Sequence, residues 1–286
     1  MSSDPNDLFQ AVEPPSDIAD ALAASRDRRG AFGAPLLYFP TLGSTNDVAA
    51  KLASGGAPEG TTVVAEAQTF GRGRLGRTWF SPQGAGLYVS VVIRPDAGTR
   101  PAGGGASAGG PGLPAVLTLA SGVALAEAIR ETTGLQAQIK WPNDLVFERR
   151  KLAGILAEAS ASGSQLDSVI LGFGVNVRPV AYPPDVAQRA TSIEAELGRP
   201  VDRGLLLASA LERLSACRDA VRTGQVAGVL ERWRRLSPSA AGARVEWRAS
   251  GGTVTGRTAG LDADGALLVE RGGRIERVVA GEVTWL

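Results

Sequence analysis

The 286-residue sequence contains no histidine. That absence excludes Ser-His and Cys-His nucleophilic catalysis and any His-ligated zinc site. Acid and base work falls to Asp, Glu, Lys, Tyr or solvent, and a metal, where one is used, is a hard cation held by oxygens and substrate phosphates rather than by a site of the chain's own. There is one cysteine, Cys217, so no intramolecular disulfide can form, which fits a reducing compartment. Its neighbours Leu214 and Val221 place it on a buried helix face, as core rather than nucleophile. Net charge is only +1, so no global field steers the chain to nucleic acid or to a membrane, and any anion site must be local. The opening residues are acidic and polar, with no basic segment leading into an apolar run, and no stretch reads as a long uncharged membrane span. The expectation is a cytoplasmic protein with no DNA and no membrane partner.

What is present is ordinary globular composition, 44% hydrophobic and 21% charged, in a chain long enough to bury a substantial core. The conspicuous stretch runs from Gln68 to Trp79, where Gly71, Gly73 and Gly76 alternate with Arg72, Arg74 and Arg77. Glycines this close cannot make a good helix or strand interior. Arginines this close repel one another unless an anion sits among them. The resting state expected is a mobile surface loop that an anionic ligand orders, with Arg forks and exposed backbone amides around its oxygens. Taken alone, the stretch equally suits a solvated basic loop or an RGG-like nucleic-acid contact.

Around this loop the chain divides into three. Residues 1–33 read as a flexible N-terminus, with Ser16 as the cap of a short helix. Residues 34–236 read as an α/β domain. Its elements are a strand at 36–39, a helix from Asp47 to Ala53 capped within Ser44-Thr45-Asn46, a strand at 61–67 and a period-2 strand at 87–94. A helix from Pro114 to Thr133 follows, then a strand ending at Lys140 before the Trp141-Pro142-Asn143-Asp144 turn. A hairpin carries Lys151 to Glu158. The strand at 169–177 has Gly172 and Gly174 in its interior, where interior glycine marks a bulge or a ligand against the backbone. Thr191 with Glu194 suggests a capping box, and Asp202 caps a longer helix. The Gly-rich segment 96–113 is a low-complexity insertion with no assigned chemistry. After Ser237-Pro238-Ser239, residues 237–286 read as a small all-β, barrel-like module.

Taken together, Ser44-Thr45-Asn46, Gln68 through Trp79, Lys140-Trp141-Pro142-Asn143-Asp144, Lys151 through Leu156 with Glu158, and Gly172-Phe173-Gly174-Val175-Asn176 resemble the biotin protein ligases over about residues 36–286. The resemblance implies an α+β fold: a mixed β-sheet catalytic domain related to class II aminoacyl-tRNA synthetases and lipoate ligases, followed by an SH3-like barrel. It implies an enzyme that makes biotinyl-adenylate from biotin and ATP with Mg²⁺, then biotinylates a lysine of a biotin carboxyl carrier domain of an acyl-CoA carboxylase. It assigns biotin contacts to Ser44, Thr45, Asn46, Gln68, Arg72, Gly73, Arg74 and Lys140, and adenylate contacts to Arg72, Arg77, Trp79 and Asn176. Leu75 stands where the family commonly has another basic residue. Some members carry an N-terminal DNA-binding winged helix and act as repressors; with so short an N-terminus, the expectation here is no repressor activity. The family contains both monomers and homodimers.

The chemistry suits this set. Biotin carboxylate and the α-phosphate of ATP must meet, so neutralising their charge is the main catalytic task. Lys140, at a strand end before a rigid turn, is the sequence's candidate catalytic cation beside Arg74. Asp144, Glu158 and Lys151 read equally well as a turn cap and hairpin surface charges. The rivals are a lipoate or octanoate transferase on the same fold, a nucleic-acid-binding module, and a biotin-binding regulator without ligase activity.

Overall fold

The computed structural model describes residues 11–96, 112–163, 165–249, 252–279 and 281–286. Apart from its ends, the Gly-rich insertion lies outside the described residues.

The described chain begins with two short helices, α1 (Ser16–Ala24) and α2 (Arg26–Arg29). This corrects the expectation of a loosely held terminus over 11–33. Ile18, Ala21 and Leu22 fall on one helix face and are buried, and Phe32 is buried after them. The Arg29 guanidinium is buried with them, donating to the Leu22 and Phe32 carbonyls and to Ser25 Oγ. Ser16 lies inside the helix and Pro15 takes the cap position.

Then come β1 (Leu36–Phe39), α3 (Thr45–Ser54), β2 (Thr62–Ala65) and β3 (Gly86–Ile93). Next follow α4 (Leu113–Thr133), β4 (Gln138–Lys140), β5 (Asp144–Phe147), β6 (Arg150–Ser162) and β7 (Gln165–Asn176). Among the described residues these strands form a seven-stranded sheet in the order β1-β2-β3-β7-β6-β5-β4. Only the β1–β2 pair in it is parallel, so the sheet is mixed, as expected.

Both faces of this sheet are covered, so β3 is buried at every position. Leu87, Val89, Val91 and Ile93 enter the large core under α4, while Val92 joins Phe39, Val48, Ala49 and Ile170 in a second core under α3. The helices α5 (Pro184–Ala187), α6 (Ile193–Leu197), α7 (Arg203–Arg222) and α8 (Val226–Leu236) complete this part. Asp202 caps α7 as read from sequence, its carboxylate accepting from Leu205 N at 2.9 Å. The capping box at Thr191 does not form. Ser192 takes the cap position of α6, and Thr191 Oγ1 bonds the Glu196 carboxylate instead.

One further correction concerns α4. It is long and apolar enough to cross a membrane by length and composition. Its apolarity has a local cause: α7 and α8 pack on one side and strands of the large sheet on the other, so almost no face needs to be polar.

The C-terminal strands β8 (Ala241–Ala249), β9 (Gly252–Leu261), β10 (Leu267–Arg271), β11 (Arg274–Val278) and β12 (Val283–Trp285) form an antiparallel sheet in the order β11-β10-β9-β8-β12, consistent with the SH3-like architecture. The short β12, which sequence did not reveal, pairs with β8 and carries the chain end back to the large sheet.

Candidate active site

A cleft enclosing about 450 Å³, mouth included, lies where the α3 N-terminus meets the middle of β6 and β7 beneath the Gly/Arg loop. Ser44, Thr45, Asn46, Gln68, Arg72, Gly73, Arg74 and Trp79 all line it. The sequence thus brings eight of its named positions to one place.

The floor is neutral and hydrogen-bonded. Ser44 takes the N-cap position of α3 without using its side chain to cap, and Thr45 and Asn46 begin the helix. Gln68 Oε1 accepts from Thr45 N at 2.8 Å and from Thr45 Oγ1 at 3.1 Å, and Gln68 Nε2 donates to Ser81 Oγ at 2.9 Å. Ser90 Oγ, from β3, lies 2.8 Å from Thr45 Oγ1 and 2.5 Å from Asn46 Oδ1. Asn46 Nδ2 donates to Glu158 at 2.7 Å. These side chains are spent on one another across the sheet, not on capping.

The interior glycines explain how the floor fits. A Cβ on Gly172 would stand 2.1 Å from Asn46 Oδ1, and one on Gly174 would stand 2.3 Å from Trp79 Nε1. Gly154 pairs with Gly174 across β6 and β7, so bare backbone forms a trough in which the Trp79 indole lies. The Trp79 Nε1 donor is buried there without a partner.

The roof is charged. The loop is a small hairpin: Trp79 N donates to Gly71 O at 2.8 Å and Gly73 N to Arg77 O at 2.7 Å, with Leu75 (φ 57°) and Gly76 (φ 73°) left-handed at the tip. Its arginines answer the repulsion with groups of the protein itself. Arg72 bridges Asp47 and Glu158. Arg74 donates to Asn143 Oδ1 at 3.2 Å and Gly281 O at 3.4 Å, and burial lowers its pKa against the pull of Asp144 and Glu282. Arg77 grips Glu282 just before β12, and the hydrogen bond between them raises the Arg77 pKa. Arg77 lines the outer mouth rather than the inner cleft.

Two other expected residues fall outside the inner cleft. Asn176 is buried at the end of β7, its Nδ2 donating to Thr191 O at 2.9 Å and Lys151 O at 3.4 Å. Lys140 does not line the cleft either. Its Nζ lies 5.2 Å from the Trp285 ring centroid, and burial lowers its pKa. The ammonium that lines the cleft is Lys151, with Nζ 2.8 Å from Asp144 Oδ1 and 5.2 Å from the Trp79 ring centroid. The cause is a β-bulge. Asp144 pairs with Gly154 and Leu145 with Ala153, but Val146 pairs with Lys151, so β6 carries one extra residue at Leu152. An extra residue reverses the alternation of side chains. Lys151 therefore shares the face of Gly154, Leu156 and Glu158, where strict alternation would have sent it to the opposite face.

Asn143, Ile155, Leu156 and Phe173 also line the cleft; they belong to the motifs read from sequence but were given no contact there. Asn143 Nδ2 donates to Ile155 O at 2.8 Å, which locks the turn after Lys140 onto β6. Among the described residues no group of three or more Asp, Glu, Cys or His is placed to hold a metal. The carboxylates at this cleft are each held by a guanidinium or ammonium.

Comparison with known proteins agrees with this geometry. Residues 38–176 match the Biotin/lipoate A/B protein ligase family and residues 242–284 the Biotin protein ligase C terminal domain. The chain is 31% identical over 282 residues to the Bifunctional ligase/repressor BirA of Bacillus subtilis, covering 96% of this chain and 81% of that protein. It is 33% identical over 261 residues to the biotin–[acetyl-CoA-carboxylase] ligase of Mycobacterium tuberculosis, covering 85% and 86%. The solved biotin protein ligase from Aquifex aeolicus in complex with biotin and ATP superposes with a TM-score of 0.73 at 29% identity, over 88% of this chain and 98% of that one. Two domain matches in the same order, and likeness along nearly the whole length, lead to one conclusion: the chain belongs to the biotin protein ligases.

Proposed function

We propose that this cleft joins biotin to ATP as biotinyl-adenylate and passes the biotinyl group to a carrier lysine. The observation that carries the reading is the meeting, at one mouth, of a neutral floor shaped by bare backbone with Arg72, Arg74 and Lys151. The floor suits a ligand with an uncharged hydrogen-bonding head and an apolar body. The cations suit the place where a carboxylate and a phosphate converge.

In the first half-reaction a biotin carboxylate oxygen attacks the α-phosphorus and pyrophosphate leaves. Arg74 and Lys151 offset the charge on the oxygens brought together, and preorganised cations in a site that excludes water stabilise such a transition state without reorganising. Lys151 is a better candidate for this task than Lys140, which lies two strands further along the same sheet face, beside Trp285 and outside the inner cleft. Trp79, freed from the trough, is placed to cover the adenylate, with Arg77 at the outer mouth and Asn176 bracing the strand beneath. Magnesium would enter with the nucleotide on phosphate oxygens. In the second half-reaction the carrier amine attacks the acyl carbon and AMP leaves.

The partner is a biotin carboxyl carrier domain of an acyl-CoA carboxylase, and the setting is the cytoplasm, where ATP and a reduced Cys217 are at home. The chain's own division, at Ser237 between catalytic part and C-terminal module, is part of this proposal. The test is biotin-dependent exchange of labelled pyrophosphate into ATP. Exchange that collapses in Lys151→Ala and is only dented in Lys140→Ala supports the assignment. Exchange driven by lipoate or octanoate instead of biotin would move the chain to the sister activity. No exchange with any acid would leave a binding protein.

A further inference from the structure

Glu158 was left between two readings by the sequence, and the structure puts it at a junction. Its carboxylate accepts from Asn46 Nδ2 at 2.7 Å on the floor and from the Arg72 guanidinium on the roof. The same guanidinium reaches Asp47, one residue beyond Asn46 on α3. Arg72 is thus the single loop side chain tied both to α3 and to β6, on opposite sides of the mouth. Asn46 is in turn fixed by Ser90 and by the space above Gly172.

We propose that Glu158 is a positioning residue which, with Asp47, latches Arg72 and so holds the Gly/Arg loop down over the cleft. It touches no reacting atom. Its action is on the population of the closed loop, and so on how long an intermediate stays beneath it. Both carboxylates and the guanidinium keep roughly a third to a half of their side-chain surface exposed, 34%, 52% and 42%. Partly exposed pairs of this kind stabilise only modestly. That suits a latch, which must open once per turnover to admit substrates and the carrier lysine. The effect on adenylate retention rests on the ligase reading, whereas the latch itself belongs to the ligand-free protein.

The loop carries its own assay, because trypsin cuts after Arg72, Arg74 and Arg77. When opening is fast relative to cutting, the cleavage rate follows the open population. Glu158→Gln keeps an acceptor for Asn46 and removes the charge that holds Arg72. Asp47→Asn approaches the latch from the other side, through an exposed side chain whose loss cannot unfold the core. We expect each to speed cutting in the loop about fivefold, the double variant more, with Tm and cutting at Arg235 unchanged. On enzyme loaded with biotin and ATP, adenylate escape rises in parallel. Unchanged loop cutting in Asp47→Asn and in the double variant overturns the proposal, and so does an equal rise at Arg235, which would mean that the pair merely supports the fold. If biotin with ATP gives no added protection in the wild type, the ligase reading fails while the ligand-free comparison still decides the latch.

Discussion

The floor and the roof of the cleft solve different problems with different physics. The floor is buried, neutral and closed on itself: Thr45, Asn46, Gln68, Ser81 and Ser90 satisfy one another, and glycine removes whatever else would fill the space. The roof is exposed and ionic, its Arg72 and Arg77 held by Asp47, Glu158 and Glu282. Neutral buried networks are rigid and costly to leave half-satisfied. Partly solvated ion pairs are weak and easily exchanged for another anion. A site that must hold one shape of acid, yet open in every cycle, uses the first to recognise and the second to close.

The sharpest way to break this division is to remove the cation that lies between them. Lys151→Ala should cut pyrophosphate exchange by about a hundredfold or more, whereas Lys140→Ala, two strands further along the sheet, should have a much smaller effect. On the floor, Gly172→Ala forces a methyl against Asn46 Oδ1 at 2.1 Å. Overpacking of this kind costs about 1–3 kcal/mol, visible as a lower Tm and as biotin affinity weakened by about tenfold or more in calorimetry. On the roof, Arg74→Ala should leave Tm unchanged and release adenylate into solution, where chromatography detects it. Adenylate retained as tightly as in the wild type would remove Arg74 from the roof's function.

How much of this was legible turns on whether a local rule survived tertiary contact. The interior glycines of β7, the Gly/Arg loop and the Asp202 cap are short-range signals, and they stand where they were read. The cleft's lysine was not legible, because choosing between Lys140 and Lys151 needs the bulge at Leu152, and a bulge is a property of two strands together. The short helix near Ser16 was legible but its packing was not, for a similar reason: Ile18, Ala21 and Leu22 are a weak pattern until α7 gives them a surface. What the loop's arginines meet in the ligand-free protein was not legible, because Asp47, Glu158 and Glu282, which pair with Arg72 and Arg77, are all distant in sequence.

Smaller effects sharpen the contrast further. In about 1 M salt the Debye length falls to about 3 Å, so loop cutting by trypsin should rise while binding on the floor changes little. Trp285→Ala removes the ring beside Lys140, a contact of about 0.5–1 kcal/mol, and should lower exchange only a few-fold. Last, the hydrogen bond from Arg77, assisted by its charge and opposed by burial, holds the Glu282 carboxyl below its usual range. A depressed carboxyl contributes above its unfolded pKa and loses that contribution as pH falls through the folded value. Loop protection should therefore stay level from neutrality to about pH 4 and decline below it, and Glu282→Gln should shrink that acid step without abolishing it, because Asp47 and Glu158 also hold the loop by charge.

The indole in the glycine trough gives the protein an optical gauge. Of its five tryptophans, Trp141, Trp233 and Trp247 are buried in packing, and Trp285 lies beside Lys140 outside the inner cleft. Trp79 alone lies in the cleft, beside an ammonium and with its own N–H unanswered. Any molecule that takes the trough changes the dielectric and the charge next to that ring. The change in emission on binding then reports occupancy in real time, with no dye attached and no product to collect.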